Sequence, residues 1–196
     1  MFNSEIVTRP VMAKAMTGSF YLTETVQLPP GNVAGAAGRV QAQMSLSPYI
    51  NVATGQAIAI DECDFVWQRD SDYGGDISNF MAANPGALTI QLTDLNPGTA
   101  FVRGDDQSLV ASGTLAVDGV GGGSQFSDIY PDNFGPSGLS DMFLVVNDDL
   151  FLVAGNDVGA TGAGILYCTV RIRARVVKLS TKDWMAIAIQ STASDN

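Results

Sequence analysis

The chain has 196 residues, of which 46% are hydrophobic and only 15% charged, with a formal net charge of -10 and no histidine. Without histidine there is no Ser-His-Asp or Cys-His catalysis, and the usual general base and the commonest zinc ligand are missing. The length suits one domain with a core that needs no staples, and a charge content below the usual level of about 25% leaves a surface of Ser, Thr, Asn, Gln, Gly and Asp, groups that desolvate at lower cost than ions when subunits meet.

The charge is unevenly spread. Residues 51–165 hold sixteen acids and two cations, Arg69 and Arg103, whereas residues 166–196 hold five cations and two acids. An acidic middle repels nucleic acid and anionic membrane, so direct sequence-specific nucleic-acid binding is not expected. The opening "MFNSEIVTRPVMAKAM" has Glu5 and Arg9 where a secretory leader needs an apolar core. No apolar run approaches the roughly 18 residues of a membrane span. Synthesis and assembly in a cytoplasm are the expectation.

In chain order, residues 1–18 are poorly patterned and read as an N-terminal arm. From there period-2 alternation dominates, the mark of half-buried strands. "SFYLTETVQL" (19–28) is a strand ended by Pro29-Pro30-Gly31. "RVQAQMSLS" (39–47) puts Val40, Ala42, Met44 and Leu46 on one face and stops at Pro48. "AIAIDECDFVWQ" (57–68) is a longer run. Further strands are predicted at 87–93, 108–117, 142–147, 150–155 and 164–179, separated by Gly-, Asn- and Asp-rich turn clusters. "DISNFMAANPG" (76–86) has room for a short helix. "STKDWMAIAIQ" (180–190) alternates like a strand, but Ser180 and Asp183 make a helix-capping pattern, which favours helix. Residues 191–196 are a polar C-terminal tail, leaving 19–190 as a single domain. Closely spaced strands of this number favour an all-β antiparallel sandwich, jelly roll or barrel.

Little chemistry is visible. Cys63 and Cys168 each lie in an apolar, strand-like run, which favours buried free thiols over a disulfide. "DGVGGGS" lacks the lysine and the strand-to-helix setting of a phosphate loop. "DSDYGGD" places Asp70, Asp72 and Asp76 as in the first half of a calcium loop, but Gly74 and Met81 stand where further ligands belong, and a solvated turn is the plainer reading. No catalytic residue or cofactor is assigned.

The feature that asks for explanation is "LYCTVRIRARVVKLS" (166–180). Alternate strand residues share a face at a spacing of roughly 6.6 Å. Arg171, Arg173 and Arg175 therefore form one face with Thr169 and Tyr167, while Val170, Ile172, Ala174 and Val176 face the core. Guanidinium groups at that spacing need anions between them. The row is a solvated face, a salt-bridge ladder to a neighbouring strand or a neighbouring copy, or a small contact for nucleic acid or lipid headgroups. The chain's own carboxylates are the favoured partners, which makes the three arginines candidate subunit-contact residues.

"LSPYINVATGQAIAIDECDFVWQ" (46–68) and "DMFLVVNDDLFLVAGNDVGATGAGILYCTVRIRARVVKLST" (141–181) together resemble single jelly-roll major capsid proteins of tailless icosahedral viruses of archaea and bacteria, those with an internal membrane. The resemblance implies a single eight-stranded jelly roll with no catalytic residues. It also implies self-assembly into capsomers of a virion shell, a second related capsid protein as partner, and a membrane beneath the barrels. The competing readings are a non-enzymatic β-sandwich binding module or cell-surface filament subunit, and an enzyme on the same scaffold. An exported subunit should show a leader. A glycan binder should show an aromatic platform, for which only Trp67 and Trp184 are at hand among tryptophans. The enzyme lacks histidines.

Overall fold

The computed structural model describes residues 13–70, 80–82, 85–118, 123–127 and 142–193. The predicted alternation resolves into strands β1 (Lys14–Ala15), β2 (Phe20–Leu28), β3 (Val40–Ser45), β4 (Gln56–Arg69), β5 (Gly86–Thr93), β6 (Leu109–Asp118), β7 (Gly123–Ser127), β8 (Phe143–Val145), β9 (Asp149–Val158) and β10 (Leu166–Lys178), followed by helix α1 (Thr181–Ala193). Eight of these coincide with the predicted strands. β1 is too short to show a period. β7 lies in a glycine-rich stretch that reads as a turn.

The strands form two antiparallel sheets. In sheet one, β2 and then β1 occupy one edge of β10, β4 occupies the other, and β8 completes the order beyond β4. Sheet two runs β3-β9-β5-β6-β7. The pairs β2 with β10, β3 with β9, β4 with β8 and β5 with β6 are nested one inside the next. A long antiparallel ribbon wrapped around a sandwich gives that nesting, and it defines a jelly roll. The expected fold class is therefore the observed one.

Inward residues of both sheets form the main core. Ile58, Ile60, Val170, Ile172, Ile90, Leu150 and Leu152 are buried there, with Cys63 and Cys168 among them, neither in a disulfide. A second cluster, with Leu28, Phe80, Leu88 and Leu166, fills one end of the barrel.

The chain also covers parts of its own outer faces. β9 is buried on both sides from Leu150 to Asn156 because residues 94–103 fold back over sheet two. Gln91 points outward between core residues Ile90 and Leu92 and pairs with Val102 in both directions. Its Nε2 donates to Val102 O at 2.9 Å, and Val102 N–H donates to its Oε1 at 2.8 Å. Gln41 donates to Asn96 Oδ1 and Gly98 O, and the Arg39 guanidinium lies 4.2 Å over the Phe101 ring. On sheet one, Trp184, Ile187 and Ala188 of α1 pack over Ala57, Ala59, Val177 and Leu179. The capping pattern prevails over strand alternation here. Asp183 N–H donates to Ser180 Oγ at 3.2 Å, and the Ser180 hydroxyl donates back to Asp183 Oδ2 at 2.7 Å.

The helix expected within 76–86 falls mostly outside the described residues; Met81 forms an isolated bridge with Thr161.

Candidate contact face on sheet one

β10 runs between β2 and β4, so its outward arginines meet side chains from both neighbours. Arg171 stands opposite Thr23 and Asp64, and Arg173 opposite Tyr21 and Glu62. The inward phase of β4 then slips. Ile58 and Ile60 face the core, yet so does Cys63, because Ala174 pairs with Ile60 and Asp61 is an extra residue. This is a β-bulge, which adds one residue to a strand and re-aims its neighbours. It gives the adjacent carboxylates of Asp61 and Glu62 one arginine each: Arg173 Nη1 lies 3.1 Å from Glu62 Oε2, and Arg175 Nη2 lies 3.1 Å from Asp61 Oδ1. The Asp61 side chain is only 14% exposed, so this pair is better shielded from solvent than a typical surface pair.

The sequence predicted carboxylate partners for the row. It did not identify Asp61 and Glu62, although the phase change between Ile60 and Cys63 marks the bulge. Arg171 differs from the other two. It is exposed, and its guanidinium lies 5.4 Å from the centroid of Tyr21, itself 58% exposed. Thr23, Thr25, Gln27 and Asp64 are also exposed on these strands, and Thr25 and Thr169 share a hydroxyl hydrogen bond of 2.8 Å. The result is a sheet surface rich in Thr, Tyr and Gln, with one exposed arginine and one exposed aspartate in register.

The other singled-out residues do structural work. Asp70 adopts a left-handed conformation, with φ of 50°. Its carboxylate accepts from Ile165 N–H at 2.9 Å and its own N–H donates to Ile165 O at 2.8 Å, closing the end of the β4–β10 ladder. Asp72 and Asp76 lie outside the described residues, and among the described residues no group of acids, cysteines or histidines is arranged to hold a metal ion. Trp67 is half-buried against both core clusters and offers no flat exposed ring. Burial pushes the Cys168 thiol well above the ordinary cysteine range, which keeps it protonated and unreactive. No helix among the described residues is long and apolar enough to cross a membrane.

No protein-family model matches the chain, and no curated protein matches it in sequence. Among the solved structures that it resembles are VP1 proteins of polyomaviruses. VP1 of Trichodysplasia spinulosa-associated polyomavirus in complex with GM1 oligosaccharide is 10% identical, with 86% of this chain and 98% of that chain covered and a TM-score of 0.44. The same VP1 in complex with sialylated precision glycooligomers gives 9% identity over the same shares of each chain and a TM-score of 0.46. The unassembled Washington University polyomavirus VP1 pentamer, an R198K mutant, gives 9% identity, again with 86% and 98% covered, and a TM-score of 0.41. These scores all lie below 0.5, and the fold assignment rests on the strand pairing itself.

Proposed function

We propose that the chain is a non-enzymatic coat subunit that assembles with copies of itself into the shell of a virion. The observation that carries this reading is the bare outer face of sheet one around Arg171, Tyr21 and Asp64. The chain covers the β3, β5 and β9 part of sheet two with its own 94–103 segment and another part of sheet one with α1. This face of sheet one is exposed among the described residues and low in charge, with the Tyr and Arg that interface centres favour. Arg171 and Asp64 lie side by side, so a two-fold contact sets each against the other's counterpart. Arg173 and Arg175, held by β4 carboxylates, border this contact. In its narrower form, which rests on sequence resemblance alone, the shell is icosahedral, encloses an internal membrane, includes a second coat protein and assembles in the cytoplasm of an archaeal or bacterial host.

The test is the state of the purified chain by light scattering and negative-stain microscopy across ionic strength. Regular oligomers, plates or closed shells are expected. A stable monomer that binds an oligosaccharide would overturn the reading in favour of a binding module. Arg171→Glu is expected to leave the fold intact and to reduce assembly at least about tenfold, since like charges then meet across the contact.

A further inference from the structure

Helix α1 is apolar on two opposite sides. Its inward side is the one packed on sheet one. Lys182, Met185, Ala186 and Ile189 are exposed, and their spacing of i, i+3, i+4 and i+7 places them on one outward face. Met185 is 55% and Ile189 63% exposed. A helix that is apolar all round normally has a packed layer on each side. The outward stripe has the form of a helix–helix seam, with the small Ala186 admitting a close approach between larger residues.

Charge sets the direction of the partner. Lys182 stands in the first turn of α1, at the positive end of the helix dipole, where a cation is unfavourable. The last turn contains no basic residue, so α1 itself supplies no cation to its negative end. In an antiparallel pair each Lys182 lies beside the other helix's C-terminal turn, and both mismatches are relieved at once. A parallel pair would bring the two lysines together. We propose that α1 docks antiparallel on α1 of a second copy, across a two-fold axis near Ala186. Two helices of this length bury less than the roughly 800 Å² per partner of a standard stable interface, so the contact is weak on its own and adds to others. It is separate from the Arg171 face and requires only two copies.

The experiment is disulfide capture in the full-length chain. Cys63 and Cys168 are buried, so a cysteine placed at Ala186 reports on its own surroundings. Val52, 63% exposed on a 3-10 turn, supplies the control position. Under mild oxidation, Ala186→Cys is expected to form covalent dimers about tenfold faster than Val52→Cys, the effect of a local preference near 1.4 kcal/mol. Adding Met185→Glu to Ala186→Cys should abolish that advantage without moving the thermal midpoint. Equal capture rates at the two positions overturn the proposal. So does a lowered midpoint for Met185→Glu, which would mean that the chain itself covers this face. Shells that form without Ala186→Cys capture would refute the helix contact and leave the coat reading standing. Captured dimers that build nothing larger would do the reverse.

Discussion

Asn156 is buried and holds together separate stretches of chain. Its Nδ2 donates to Asn32 O at 3.1 Å and Gly159 O at 2.6 Å, and its Oδ1 accepts from Asn32 Nδ2 at 2.6 Å. Thr161 Oγ1 continues the network to Asn32 N–H and Pro29 O. Asn156→Ala leaves several of these groups dry and unmatched, and is expected to lower stability by about 2–4 kcal/mol in urea titration. Cys168 gives a second residue-level expectation. The folded state binds its thiol proton more tightly than the unfolded state does. Its contribution to stability is therefore complete below the ordinary cysteine pKa and is lost as pH rises beyond it. A thiol reagent at pH 8 should label this cysteine only when denaturant is added. The burial of both cysteines was legible in the alternation around them. The Asn32–Asn156 pairing was not, because two asparagines in separate turn clusters give no local sign that they meet.

Among the elements, β4 depends on its bulge. With Asp61 as the extra residue, Ile60 and Cys63 both face inward, and two acids in succession face the arginines of β10. Asp61→Ala leaves the Arg175 guanidinium half-buried without its carboxylate, at an expected cost of about 1–2 kcal/mol. Asp64→Ala, on the exposed part of the same strand, should stay within about 0.5 kcal/mol. A double-mutant cycle between Asp61 and Arg175 in equilibrium unfolding checks the coupling. Gly55 joins β4 to the far end of β10. It has φ of +71°, and a side chain there would run into the Leu179 carbonyl. The extent of β4 was clear from its composition, whereas its bulge appears only when the inward phase is followed residue by residue. The α1 segment was ambiguous by period, and its Ser180–Asp183 cap decides the outcome.

The whole molecule is held by pairings between distant parts of the chain. Leu28 pairs with Leu166 and Ser45 with Asp149. Such pairs form only after long loops have closed, so refolding from urea is expected to take on the order of seconds, not milliseconds. A stopped-flow trace complete within milliseconds would contradict that order of events. The number of strands could be counted from turn spacing, and the class of fold followed. Which strand lies beside which is a long-range fact with no local trace, and the nested pairs became visible only in the structure.

Ala13 packs on the same buried cluster as Trp184, Ile187 and Ala188 of α1, so this side of the barrel is covered by two separate parts of the chain. By contrast, Arg103 and Asp105 flank an exposed turn at 88% and 73% side-chain exposure, and a side chain added at Gly104 between them would meet only open space. A foreign peptide can thus be inserted at this turn without severing a strand. It would sit between the segment that Gln91 holds and the start of β6. That makes this barrel a carrier on which a guest sequence is displayed while every ladder stays intact.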